Sequence, residues 1–165
     1  MNTKSNVFFI SDLHLGHHNM AIKRGFNNSE EMWQLIKERW NKVTNKHSVI
    51  YILGDIGMEK SSGYHLLSEL KGIKKIILGN HDQSQHVPEL LKYVHSVAGM
   101  VRWKKKFFLT HCPIHPSELD YRVQYNISGH VHEKSIPDSR YINVSCEAVD
   151  YTPRRIEELI PGIEI

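Results

Sequence analysis

Short apolar runs recur along this chain, and each ends in polar residues of a restricted kind. Val7 to Ile10 leads into Ser11-Asp12-Leu13-His14, and Val49 to Leu53 leads into Gly54-Asp55. Ile76 to Leu78 leads into Gly79-Asn80-His81-Asp82, Phe107 to Leu109 into Thr110-His111, and Tyr125 to Ser128 into Gly129-His130-Val131-His132. Bounded runs of this length read as buried strands, and a further strand is expected at Tyr141 to Ser145. Helical patterns lie between them. Asn28 or Ser29 caps a segment with Glu30 and Glu31 in its first turn and Met32, Trp33, Ile36 and Trp40 at helical spacing. That spacing assigns both tryptophans to the core. A second helix is predicted from Ser61 or Ser62 through Leu66, Leu67 and Leu70, stopped by Gly72. Pro88 opens a short third, and Thr152-Pro153 opens a fourth carrying Ile156, Leu159 and Ile160. The order predicts an α/β fold with its chemistry at strand ends, and no repeat, low-complexity tract or linker interrupts it.

Composition narrows the picture. The 165 residues suit one domain spanning 1–165, and 40% hydrophobic with 24% charged content is that of a soluble globular protein, which argues against disorder and membrane spanning. Net charge is +3. Its short basic clusters, Lys71, Lys74, Lys75, Lys104, Lys105, Lys106, Arg154 and Arg155, read as solvated faces and strand-edge lysines. No aromatic-basic stripe of a single-strand nucleic-acid binder accompanies them. Cys112 and Cys146 form no Cys-x-x-Cys pair, so neither a disulfide framework nor a thiolate zinc site is indicated, and a reducing compartment is expected. Cys112 reads as packed, not reactive. The run Val7 to Ile10 is too short for a signal peptide or a transmembrane helix, so a cytoplasmic location with no membrane partner is expected.

Histidine is the outlier, at 12 residues. Asp12-x-His14 and His130-x-His132 each place two side chains on one face of an extended strand end. Carboxylates, an amide carbonyl and neutral imidazoles form a hard-to-borderline donor set, suited to manganese, iron, zinc or magnesium and unsuited to copper or iron-sulfur centres. The donors exceed what one tetrahedral ion needs, and two ions about 3.5–4 Å apart with one shared carboxylate would use them. In Gly79-Asn80-His81-Asp82, glycine is read as permitting a sharp turn. Asn80 then offers a carbonyl oxygen, His81 meets a substrate, and Asp82 fixes the His81 tautomer.

The ordered set Asp-x-His, Gly-Asp, Gly-Asn-His-Asp, His and Gly-His-x-His, over residues 12 to 132, resembles the calcineurin-like metallophosphoesterase superfamily. Intervals between motifs are too short for a cap domain, so the likeness is to its short, uncapped, single-domain bacterial and phage-type members. The resemblance implies a four-layer αββα-type sandwich of mixed β-sheets flanked by helices, with the metal site at the strand ends. It implies that Asp12, His14, Asp55 and His132 surround one divalent metal, and Asp55, Asn80, His111 and His130 the other. Asp55 is then the bridge and His81 the group beside the scissile phosphate. Manganese is the first expectation, with iron, zinc, nickel or magnesium as alternatives.

The implied chemistry is attack of a metal-bridged hydroxide on phosphorus, with His81, held by Asp82, at the leaving group. The expected substrate is a small phosphodiester such as a cyclic nucleotide or a nucleic-acid end. A phosphomonoesterase acting on nucleotide or sugar phosphates is the alternative, and a catalytically idle scaffold for protein binding the remote one. His17 and Arg24, after the first motif, are candidate phosphate or base contacts, with His115 and Arg122 behind them.

Overall fold

The computed structural model describes residues 5–165. In chain order its strands are β1 (Val7–Ile10), β2 (Val49–Ile52), β3 (Ile73–Ile77), β4 (Ser96–Ala98), β5 (Val101–Trp103), β6 (Phe107–Leu109), β7 (Tyr125–Ser128), β8 (Tyr141–Asn143) and β9 (Arg154–Arg155). The helices are α1 (His18–Lys23), α2 (Ser29–Val43), α3 (Val87–Leu90) and α4 (Ile156–Leu159). The protein is α/β with two mixed sheets. One has the order β4-β3-β2-β1-β9, parallel except for β9; the other has the order β5-β6-β7-β8, parallel except for β5.

Strands β1 and β2 are buried along nearly their whole length, which is why they read as unbroken apolar runs. Both sheets feed one core, where Phe9 stacks on Tyr51 at 5.8 Å and meets the edge of Trp103 from the second sheet at 5.1 Å. The sheets also touch at their strand ends. Ser11 and Ser145 form a parallel bridge, and Cys146 N donates to Ser11 O at 3.0 Å. The carboxyl ends of parallel strands from both sheets therefore open onto one edge, where such folds carry their ligands.

Helix α2 matches expectation. Asn28 Oδ1 accepts from Glu31 N at 2.8 Å, while the Glu31 carboxylate accepts from Asn27 N, a cap worth about 1 kcal/mol. Trp33 and Trp40 are core residues, and the Trp40 indole donates to Lys71 O at 2.9 Å.

Other elements depart from the sequence reading for local reasons. The helix expected from Ser61 or Ser62 is a 3₁₀ turn, Tyr64–Glu69. Its buried residues, Tyr64 and Leu67, are three apart, the spacing at which a 3₁₀ turn aligns side chains. The fourth helix starts late, because Arg154 and Arg155 first pair with β1. Helix α1 was not anticipated; its cap is His17, a residue outside the usual capping set. Flanking helices were expected on both outer faces, but Phe108, Leu119 and Val123 are covered at the second sheet by a 3₁₀ turn, Pro116–Leu119. Lys74 is no solvated lysine: it is buried, and its ammonium donates to Leu70 O and Gly72 O. Among the described residues, no helix is long and apolar enough to cross a membrane.

Candidate metal centre

Asp12, His14, Asp55 and His111 are buried at the shared edge, His132 and His81 are half-buried, and Asn80 and His130 reach the surface. All seven sequence-predicted donors thus come from strand ends that converge on one edge. Five of them, Asp12, His14, Asp55, His130 and His132, adopt left-handed backbone with φ between 47° and 69°. Such a conformation costs a non-glycine residue on the order of 1–3 kcal/mol and clusters where side chains are held for a purpose.

Three imidazoles are oriented alike. Nδ1 of His14 donates to Gly57 O at 3.2 Å, Nδ1 of His111 to Leu53 O at 2.7 Å, and Nδ1 of His132 to Glu147 Oε1 at 3.0 Å. Each Nε2 therefore points inward, the arrangement of histidines that bind a metal through Nε2. His14 Nε2 lies 3.9 Å from Asp12 Oδ1 and 3.9 Å from Asp55 Oδ2, while His132 Nε2 lies 3.7 Å from Asp12 Oδ1. These separations exceed a hydrogen bond. Asp12 Oδ1 and His14 Nε2 are buried with no hydrogen-bond partner. A cation with bonds of about 2.0–2.2 Å to nitrogen and oxygen joins donors roughly 3–4 Å apart, so the residues fit one.

The electrostatics agree. Burial, reinforced by Arg24, lowers the His14 pKa to about 3, which leaves the imidazole neutral and its Nε2 lone pair free. Burial also opposes charge on His111, but the neighbouring Asp55 and Asp12 carboxylates outweigh it and raise its pKa. The proton this favours on His111 Nε2 faces Asn80 Oδ1 at 2.9 Å and Asp55 Oδ2 at 3.4 Å, where a cation would replace it. Asp55 is lowered in turn, against its burial, by His111 and by the His81 N–H that its Oδ1 accepts at 3.0 Å. Asp55 Oδ2 is left between the His14 and His111 rings.

Glycine 79 serves a purpose other than a turn. It does not adopt a positive φ, and a Cβ there would come within 2.2 Å of Asp55 Oδ1. Gly129 has the same function at the other side, where a Cβ would sit 2.2 Å from Asp12 Oδ2. Both glycines let neighbouring backbone close onto a carboxylate.

Asp82 does not face His81. Its carboxylate accepts from the backbone N–H groups of Asp55 at 2.7 Å, Gly79 at 2.9 Å and Ile56 at 3.0 Å, tying the second and third motif loops together. The carboxylate beside His81 is Glu59, with Oε1 3.3 Å from Nδ1. Arg24 is also placed differently from its reading as a substrate contact. Its side chain is buried, donating to Glu147 at 2.7 Å and to Asp12 O at 2.7 Å. His17 caps α1 by accepting from Met20 N, and its ring is half-buried; desolvation, helped by His81, Lys60 and His18, lowers its pKa. His115 caps a 3₁₀ turn, and Arg122 offers its carbonyl to Arg102. Cys112 is exposed, not packed, and partial desolvation, with the Asp55 and Asp12 charges, pushes its thiol up.

Glu147 and Glu59 escaped the sequence reading. Burial opposes charge on Glu147, yet His132 and Arg24 hold its pKa at about 2 against an ordinary 4.5. A depressed carboxyl stabilises the fold above its unfolded pKa and loses that contribution as pH falls through the folded value. Glu147→Gln, which keeps one acceptor for Arg24 but no charge, is expected to cost about 1.5–3 kcal/mol near neutral pH. Urea midpoints should show that deficit shrinking as pH drops from about 4.5 towards 2. A deficit unchanged across the range would reject the ion-pair account.

These features define an α/β protein whose strand ends gather buried His and Asp groups that could bind metal ions. No protein-family model matches the chain. It is 29% identical to the uncharacterized protein MJ1445 of Methanocaldococcus jannaschii, over 96% of this chain and 91% of that protein. A local stretch, 47% of this chain and 40% of the relative, is 40% identical to the Gene 66 protein of Mycobacterium phage L5. Among solved structures, the protein of unknown function AQ665 from Aquifex aeolicus shares the fold, with TM-score 0.75 and 24% identity over 95% of this chain and 98% of that one. A novel archaeal phosphodiesterase overlays at TM-score 0.48 and 18% identity over 86% and 84% of the two chains, too distantly for residues to be carried across.

Proposed function

We propose that this chain is a binuclear metal-dependent phosphoesterase of the calcineurin-like kind, acting on small or nucleotide-type phosphodiesters. The observation that carries this reading is the pair of buried atoms without partners, Asp12 Oδ1 and His14 Nε2, turned towards each other and towards further inward-facing donors. Asp12, His14, Asp55 and His132 would hold one cation, and Asp55, Asn80, His111 and His130 the other. Such a pair of divalent cations would activate water near neutral pH and withdraw charge from phosphoryl oxygens.

The chain's own residues supply positioning and proton transfer. Asp82 fixes the two loops that carry Asp55 and Asn80. Glu147 holds His132 and, through Arg24, the backbone of Asp12. His81 stands at the mouth, its ring centroid 5.9 Å from that of His14. With Nδ1 donating to Glu59, its Nε2 can hold a proton for the departing oxygen, a contribution of about 10²–10⁴-fold. Asn80 and His130 are exposed, so this side of the centre is open to solvent.

The test is to purify the protein, determine its bound metal, and assay bis-p-nitrophenyl phosphate beside the monoester with added manganese. The proposal predicts metal bound and faster cleavage of the diester. Less than one metal per chain with neither ester cleaved would overturn it, and preference for the monoester would replace diesterase with monoesterase. His81→Ala is expected to keep its metal and lose about 10²–10⁴ in kcat; an unchanged kcat removes His81 from the reaction.

A further inference from the structure

The two halves of the candidate centre differ in chemistry. Asp12, His14 and His132 offer oxygen and nitrogen alone, and their donor atoms lie within 4.8 Å of one another. At the other half, ligand atoms of His111 and His130 and the sulfur of Cys112 also lie within 4.8 Å of one another.

This second grouping is built by the backbone. Thr110 Oγ1 donates to Cys112 O at 2.7 Å, folding the turn after β6 back on itself. Gly129 N donates to His111 O at 3.0 Å, drawing the loop that carries His130 against that turn. The His111 and His130 rings meet edge to face at 5.1 Å, and His130 is held there at φ 69°. The thiol is exposed and so open to an incoming cation.

We infer that Cys112 supplies a thiolate to the His111 and His130 half of the centre, making that half a mixed nitrogen, oxygen and sulfur site that favours zinc-like ions over manganese or magnesium. The inference rests on the metal-centre reading above. Thiolate is a soft donor, and it selects zinc, cobalt or cadmium over the hard cations that oxygen donors accept. As the sulfur-metal bond forms, the thiol proton leaves to solvent, because a coordinated thiol is deprotonated. The cysteine reads as isolated in sequence because its partners are the imidazole beside it and one from the next strand end, with no second cysteine involved.

Cobalt(II) added to the metal-free, reduced full chain separates the possibilities. Visible d–d bands report cobalt in the centre, and a near-ultraviolet sulfur-to-cobalt charge-transfer band reports the thiolate. Both are expected in the wild type, and Cys112→Ser should keep the first, lose the second and bind zinc at least about tenfold more weakly. Visible bands without charge transfer in the wild type would overturn the inference and leave the metal centre standing; no cobalt bands at all would overturn both. Zinc should also protect Cys112 of the wild type from iodoacetamide, read on the isolated peptide. Equal alkylation with and without zinc counts against the inference. Cys146 is fully buried and does not confuse that readout.

Discussion

Asp82→Ala is expected to cost at least about 2 kcal/mol of stability, because each buried N–H left without an acceptor costs about 1–3 kcal/mol and the Asp82 carboxylate serves two of them, Asp55 and Ile56, besides the half-buried Gly79 N–H. Against a typical total of about 5–15 kcal/mol, that is a large share. Urea unfolding of wild type, Asp82→Ala and Asp82→Asn should place the asparagine variant between the other two, since an amide retains one oxygen. If Asp82 acted by orienting His81, Asp82→Ala would lose rate and keep its urea midpoint. A midpoint within experimental error of the wild type would therefore reject the bracing role.

Asp55→Asn is expected to abolish turnover while the chain stays folded. The amide has the shape of the carboxylate, and its oxygen can still accept the His81 N–H that now holds Asp55 Oδ1. What disappears is the charge at Oδ2, between His14 and His111. Loss of an outer-shell partner already weakens metal binding about 10–100-fold, and loss of the proposed shared ligand should exceed that. Calorimetric titration with manganese, alongside circular dichroism, checks both halves of the statement. Unaltered metal stoichiometry and affinity would reject Asp55 as a ligand.

Much of this was legible in the sequence because two signals coincide. A buried parallel strand leaves an apolar run, and a residue with donor chemistry just beyond it has few places to go but the sheet edge. That logic located Asp12, His14, Asp55, Asn80, His111, His130 and His132 together. It failed where strands were too short to leave a run: Ser96–Ala98, Val101–Trp103 and Arg154–Arg155 are edge segments of mixed burial. It also failed on roles. Sequence proximity paired Asp82 with His81, yet the chain turns so that Asp82 points back under the loops and Glu59, distant in sequence, comes alongside the ring. Arg24 read as a surface contact because a cation after a ligand motif resembles an anion clamp. Its burial follows from Glu147, which lies far along the chain and whose attraction no local pattern reveals. Glu147 did carry a signal of the right kind, as an acid just past the run Tyr141 to Ser145.

The left-handed backbone at Asp12, His14, Asp55, His130 and His132 sets stability and chemistry in opposition at single residues. Glycine at any of these positions would relax the chain and delete the donor in the same stroke. Heat tolerance added to this protein must therefore come from elsewhere, from the strand cores, the helix caps, or left-handed residues outside the donor set such as Lys104 and Lys105, where glycine would relax the backbone without removing a donor.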